Sequence, residues 1–169
     1  QIANYGNGIM SISYYYNSID CTININTEFA QWLSMIPSNL RNNEMNELVK
    51  GIVRLAIKEQ NEDGSWYYFS KDHMKKWGNK PIIDCHHTGT ILSNLINVLN
   101  YYPFEVDLKN ELIESINKGM MFYINNFFDF NLGSAKTIIG YKRPAGPVQY
   151  SEAIFAFCDY ITSEQLANI

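Results

Sequence analysis

The sequence is short of charge and of long apolar runs, and each shortage argues against a class of protein. Charged residues make up 18% of the 169 residues, and acidic residues outnumber basic ones, which gives a net charge of −4. A nucleic-acid-binding protein needs a basic surface to neutralise phosphates, and this balance does not supply one. No apolar run approaches the roughly 18 residues of a membrane-spanning helix. We therefore expect neither nucleic acid as a partner nor a membrane span.

Cysteine is also scarce. Cys21, Cys85 and Cys158 are an odd number of cysteines, and they lie in apolar surroundings. This favours reduced thiols over a disulfide framework, and it favours a cytoplasmic location. The hydrophobic fraction of 46% is enough for one domain with a core.

Apolar residues recur at helical spacing in most of the chain, which predicts an all-α protein. The predicted helices cover 20–36, where Pro37 ends the segment, then 43–60 and 84–100. A fourth helix is predicted to begin at Asp107 as N-cap and a fifth at about Ser151, and 163–169 resembles the start of a sixth. A strand pattern competes only at 66–69. The lysine-rich stretch from Lys71 to Lys80 and the stretch 137–150 are predicted to be loops.

The chain contains an internal echo. Ile19-Asp20-Cys21 recurs as Ile83-Asp84-Cys85, and Lys50-Gly51 recurs as Lys118-Gly119. We interpret each unit as a helical hairpin, with approximate bounds 20–66, 84–133 and an incomplete 148–169. One hairpin cannot bury its own apolar stripe, so several must pack side by side. About two and a half units are too few for a closed ring. We therefore expect further hairpins in a longer parent chain, or a second copy, to complete it.

The end of the first unit resembles a known motif. Lys50-Gly51 and Gln60 are followed by Asp63-Gly64-Ser65-Trp66, which resembles the QW motif of squalene-hopene and oxidosqualene cyclases. These enzymes belong to the terpenoid cyclase and protein prenyltransferase α/α-toroid superfamily. The resemblance implies that Gln60 and Trp66 tie the end of one hairpin to the next. The second unit lacks both residues.

A longer pattern is similar to another group of toroids. It joins the Gln60 to Tyr67 segment, Asp84-x-x-His87-Thr88-Gly89, and a Gly-Pro-x-x-Tyr-x-Glu run from Gly146 to Glu152. It is similar to bacterial α/α-toroid proteins linked to polysaccharide biosynthesis, relatives in fold of six-hairpin glycosidases and polysaccharide lyases. The resemblance implies a carbohydrate-handling protein, either a hydrolase or lyase-like enzyme or a non-catalytic binding or scaffold module. A prenyltransferase or terpenoid cyclase-like enzyme is a third hypothesis.

The candidate catalytic residues are His87, Asp84, Glu152 and His86. Only the second copy of the echo carries histidines, and a histidine titrates near neutrality, which suits acid/base chemistry. Asp20 and Asp84 are expected to be helix N-caps. If the helix starts share one mouth, Asp84 and Glu152 could form the carboxylate pair of a glycosidase. His86 and His87 are adjacent and point about 100° apart, so we expect at most one of them to act.

A metal site is not predicted, and neither is a cofactor. The string Asp84-Cys85-His86-His87 suggests zinc, since protein prenyltransferases hold zinc with Asp, Cys and a later His. The equivalent later position falls near Gln149 and Tyr150, and a third ligand at the right spacing is missing. Cys85 at a helix start is expected to have a lowered thiol pKa.

Aromatic side chains in the loops are candidates for stacking on sugar rings, and a basic residue would suit anionic sugars. The candidate substrate-binding residues for a carbohydrate or other small-molecule ligand are Trp66, Tyr67, Tyr68, Tyr141, Arg143 and Tyr150.

Overall fold

The protein is mostly helical. The structure, a computed structural model, describes residues 1–13, 21–131, 133–140 and 145–167. Its α-helices are α1 (Ile23–Met35), α2 (Asn43–Glu59), α3 (Lys71–Trp77), α4 (Cys85–Tyr101), α5 (Val106–Phe127) and α6 (Pro147–Thr162), and Ser38–Leu40 form a 3-10 turn. None of the described helices is both long enough and apolar enough to cross a membrane.

Strands are limited to short antiparallel pairs in the described part of the chain. β1 (Ile2–Asn4) pairs with β2 (Met10–Ile12), and β3 (Phe128–Asp129) pairs with β4 (Ser134–Ala135). No strand forms at 66–69, where a strand pattern competes in the sequence. Only Phe69 pairs there, in an isolated bridge with Thr22.

Several helix ends differ from the sequence prediction. The N-cap of α1 is Thr22, and Asp20, which was expected to cap this helix, lies outside the described residues. The N-cap of α5 is Glu105, and Asp107 lies inside its first turn. Helix α6 starts at Pro147 rather than near Ser151, because proline at the first helical position lacks only an N–H that would have no helical partner. Residues 164–167 form a turn rather than the start of the sixth helix that the sequence predicted.

Helix α3 replaces the predicted lysine-rich loop. Ser70 caps it by accepting a hydrogen bond from the His73 N–H at 3.3 Å, and Gly78 ends it with φ +66°. Seven residues are too few to show a helical period of apolar residues. The sequence feature that could have predicted this helix is its pair of capping residues, Ser70 and Gly78.

Helix α4 lies at the centre of the fold. It packs against α1 on one side, α6 on the other, and α5, while α1 also packs against α2. Its apolar face, with Leu92, Leu95 and Ile96, is fully buried. Pairs of contacting residues on α4 and α6 run in the same order along both helices, from Thr90 and Glu152 to Asn100 and Ser163, so the two helices are parallel. Their N-terminal ends therefore lie at the same end of the fold.

The two Lys-Gly sequences occupy similar packing positions. A Cβ on Gly119 in α5 would lie 2.5 Å from the ring of Trp66, and a Cβ on Gly51 in α2 would lie 2.6 Å from Cβ of Met10. In each unit, the preceding segment of chain packs against the bare glycine backbone. This supports the interpretation of the echo as a repeated packing arrangement, with β2 in the place that the Trp66 loop takes in the second unit.

Gln60 and Trp66 connect the first hairpin to α5. The Gln60 side-chain amide donates to the carbonyl of Ser115 at 2.9 Å, and its oxygen accepts from the Ser115 hydroxyl at 2.9 Å. The indole N–H of Trp66 donates to the carbonyl of Ala56 at 2.8 Å. The structural role implied by the QW resemblance fits these contacts.

Candidate functional site

The start of α4 is fixed from two directions. The Cys85 N–H donates to the carbonyl of Thr137 at 2.9 Å, and the Ile139 N–H donates to the carbonyl of Ile83 at 3.1 Å. Asp84, between them, is extended and is the N-cap of α4: its Oδ1 accepts from the His87 N–H at 2.9 Å. The predicted cap at Asp84 is therefore confirmed, and the loop before α6 holds it in place.

Asp84 also binds the side chain of His87. Oδ2 of Asp84 lies 2.7 Å from Nδ1 of His87, and both side chains are partly buried, with 12% and 27% of their surface exposed. Both carboxylate oxygens of Asp84 are thus engaged by one residue. A carboxylate only accepts hydrogen bonds, so the contact places the proton on Nδ1 and leaves the Nε2 lone pair for another group.

A second acid and histidine lie beside this pair. Oε1 of Glu152 is 3.9 Å from Nδ1 of His86, too far for a hydrogen bond, and Oε2 of Glu152 lies 3.1 Å from the hydroxyl of Thr90. Nδ1 of His86 is buried without a hydrogen-bond partner. The arrangement is an electrostatic contact that strengthens when His86 carries a proton.

The two histidines have different acidic partners, yet their rings touch. Their ring centroids are 4.7 Å apart in an edge-to-face arrangement. Adjacent residues on a helix diverge at Cα, but ring-sized side chains can converge again beyond it. Asp84, His87, His86 and Glu152 consequently form one continuous cluster at the shared N-terminal end of α4 and α6.

Gly89 allows this close approach. A Cβ at Gly89 would lie 2.7 Å from the hydroxyl of Tyr123 and 3.2 Å from Cβ of Glu152. Any larger residue would push α6 and Glu152 away from α4. The glycine in the His-His-Thr-Gly sequence is therefore a packing requirement of the cluster.

The side chains of Tyr123 and Cys85 lie next to the cluster, on its buried side. The Cys85 thiol and the Tyr123 hydroxyl are 3.3 Å apart and buried. Burial raises the pKa of Cys85 to about 11, and it raises the pKa of Tyr123 well above its ordinary value, with the Cys85 contact adding to the effect. The expected lowering of the Cys85 pKa at a helix start was wrong, because loss of hydration outweighs the helix dipole here. Neither group is an acid or base at neutral pH.

The candidate aromatic residues that the structure describes do not gather in one place. Tyr68 meets the edge of the His87 ring, with centroids 4.4 Å apart, and Tyr67 is half-buried near it in sequence. Trp66 is only 2% exposed, so the expectation that it binds substrate was wrong. Tyr141 and Arg143 lie outside the described residues.

Tyr150 belongs to a different surface. Its hydroxyl accepts from the Ala135 N–H at 3.2 Å, and its ring lines a pocket of about 270 Å³ with Phe128, Phe130, Ile154 and Phe157. Residues two apart on a helix point to nearly opposite sides, so Tyr150 faces away from Glu152. The structure does not bring it to His87.

Sequence reasoning missed the polar contacts that attach α6 to α4. Asp159 accepts hydrogen bonds from the Ser93 hydroxyl and, at 3.1 Å, from the Asn97 side chain. Glu152 and Asp159 are seven residues apart and so lie on one face of α6. That spacing was the available signal that both acids point to the same neighbour.

No group of three or more His, Cys, Asp or Glu side chains in the described ranges is arranged to hold a metal ion. No protein-family model, no curated protein and no solved structure matches the chain at a significant level.

Proposed function

We propose that the chain is a carbohydrate-handling protein of α/α-toroid type, with His87 as the acid/base group of a glycan-active site. The observation that carries the proposal is the 2.7 Å contact between Nδ1 of His87 and Asp84. A histidine oriented by a carboxylate, with its other nitrogen free for a ligand, is the arrangement that general acid/base catalysis uses. The partial exposure of His87 allows a ligand to reach it.

Glu152 is proposed as the second ionisable group. Its carboxylate is 23% exposed and is supported by Thr90 and His86. Asp84 is assigned to positioning His87, because both of its oxygens are already engaged. The pair that acts on substrate is thus His87 and Glu152 rather than Asp84 and Glu152. A histidine base paired with a carboxylic acid suits proton abstraction and elimination as well as hydrolysis.

Two further observations support the carbohydrate assignment. Tyr68 contacts His87, and a tyrosine ring with its hydroxyl can both stack on a sugar and bind a hydroxyl group. The similar glycine contacts of the two hairpins support a row of repeated hairpins. In such a row the helix starts would converge on one mouth, and the cluster lies at the shared N-terminal end of α4 and α6.

The test compares variants of the cluster on a panel of neutral and uronate-containing polysaccharides. Turnover is followed by the release of reducing ends and by the ultraviolet absorbance of unsaturated products, and binding is followed by tryptophan fluorescence. We expect His87→Ala and Glu152→Gln each to reduce turnover about 10²–10⁴-fold with binding retained. Glu44→Gln, an exposed acid in the first turn of α2, is the matched control and should leave turnover unchanged.

Three other results would count against parts of the proposal. Full turnover by His87→Ala would remove His87 as the acid/base group. Binding of a glycan without turnover of any would favour the non-catalytic module. Absence of both binding and turnover across the panel would reject the carbohydrate assignment.

A further inference from the structure

The charged and apolar faces of helix α6 are exchanged relative to those of an ordinary surface helix. Its charged side chains, Glu152 and Asp159, point toward α4, and its buried residues include only the small Ala153 and Ala156. The outward face carries no charge at all. It consists of Pro147, Val148, Ser151, Ile154, Phe155, Cys158, Ile161 and Thr162, all of them exposed. A helix that faced water permanently would place its charges on this side.

The apolar part of this face is comparable in area to the largest patch that a typical monomer exposes, about 300–600 Å², and such patches often have a function. Val148, Ile154, Phe155 and Ile161 are between 53% and 77% exposed. At side-chain areas on the order of 150–250 Å², their exposed parts present roughly 400 Å². Phe130, 74% exposed beside the Ile154 pocket, extends the patch. Two such patches face to face bury roughly 1,000 Å², about the lower limit for a specific interface.

Along this face, similar types of side chain follow one another in either direction of the helix. A twofold axis between Ile154 and Phe155 exchanges Val148 with Ile161 and Ser151 with Cys158. Branched apolar residues thus meet branched apolar residues, small residues meet small ones, and Phe155 meets Ile154 at the centre. A surface that is complementary to itself in this way suits a closed, isologous dimer. Because α6 places no charge on this face, pairing of the two helices removes no charge of α6 from water, while Asp129 lines the pocket at the edge of the patch.

We propose that the outward face of α6 is the contact surface of a homodimer, in which two copies of α6 pack antiparallel about an axis between Ile154 and Phe155. Each copy covers the apolar face of the other. The cluster around His87 stays open, because it lies on the opposite, α4-facing side of α6. The inference is independent of the proposed carbohydrate activity.

Disulfide trapping tests the geometry. In the antiparallel pair, position 151 of one copy faces Cys158 of the other. Ser151→Cys should therefore form a covalent dimer under mild oxidation, seen on a non-reducing gel. Within one copy these positions are two helical turns apart, about 10.5 Å, which is too far for an internal disulfide. The native chain and Ser151→Cys/Cys158→Ser are the controls, since like positions lie equally far apart across the axis, and both should form little covalent dimer.

Sedimentation velocity tests the association itself. The native chain should sediment as a dimer at micromolar concentration, and Ile154→Lys should sediment as a monomer with an unchanged helical circular dichroism spectrum. Met121→Lys is the matched control, because Met121 on α5 is exposed to a similar extent, 58%, and should leave the dimer intact.

A monomeric native chain would overturn the proposal and assign the face to a further stretch of the parent chain or to another protein. A dimer that survives Ile154→Lys would place the interface elsewhere. Efficient trapping through Cys158 alone would contradict the antiparallel register.

Discussion

Substituting Gly119 by alanine tests the junction between the two hairpins. In an unobstructed helix, Gly→Ala stabilises by about 1 kcal/mol. At Gly119 the new methyl carbon would lie 2.5 Å from Cη2 and Cζ3 of Trp66 and 3.1 Å from Cδ2 of Leu92, well inside the roughly 3.5–4.0 Å of a favourable carbon contact. The indole cannot easily move, because it is buried and its N–H is bound to Ala56.

We expect this overpacking to outweigh the gain in helix propensity. Inserting a methyl group into a packed core costs about 1–3 kcal/mol and more when a rigid ring must shift. The net result for Gly119→Ala should be a loss of about 2 kcal/mol, which lowers Tm by about 4–8 °C in a chain of this size. Thermal melts followed by circular dichroism, with urea unfolding as the second measurement, give both quantities.

A double-mutant cycle isolates the contact. Trp66→Phe removes the outer ring atoms that the new methyl would meet, so the penalty of Gly119→Ala should largely disappear in that background, with a coupling energy of about 2 kcal/mol. The packing described here would be refuted if Gly119→Ala raised Tm as an unhindered substitution does, or if its penalty were the same with Phe at position 66.

Other predictions concern the thiols and the α4 cap. In the monomeric Ile154→Lys variant, where no partner covers it, exposed Cys158 should react first with a thiol reagent at pH 8. Cys21 and Cys85 should react only on unfolding, because burial raises their pKa to about 12 and about 11. Since these pKa values exceed the ordinary thiol value, the unfolded chain loses these protons at lower pH than the folded chain does. The free energy of unfolding measured with urea should therefore be at its full value below pH ~8.5. It should fall by up to about 1.4 kcal/mol per pH unit per thiol as pH rises toward 11. A flat profile over that range would contradict the burial of both thiols. Asp84→Ala should cost about 1 kcal/mol in urea unfolding through loss of the N-cap, whereas Asp84→Asn should cost less, because asparagine also caps; equal losses would show that the cap contributes little.

The sequence was most informative where structure depends on neighbours along the chain. The apolar stripes of α2 and α4 and the cap at Asp84 arise from residues three or four positions apart, so they can be predicted without any tertiary contact. The Lys-Gly echo likewise indicated two comparable packing positions. Local signals were less informative in short or unusual places. Helix α3 has too few residues to show a period, and Pro147 reads equally well as a loop residue or a helix start.

The same distinction between local and tertiary contacts applies to the candidate site. The sequence alone makes a contact between Asp84 and His87 predictable, because His87 follows Asp84 by three positions at a helix start. Only the tertiary structure decided that Glu152 lies against Thr90 and His86, since the parallel packing of α4 and α6 brings them together across about sixty residues of chain.

Tertiary packing also decided which aromatic and apolar residues face inward. Trp66 is buried because Gly119 leaves room for its ring, and the outer face of α6 is apolar because its acids are used on the inner one. The sequence lists the same side chains in either case. What they contact depends on which helix lies beside them, and that is set by the balance of burial over the whole fold rather than by any local pattern.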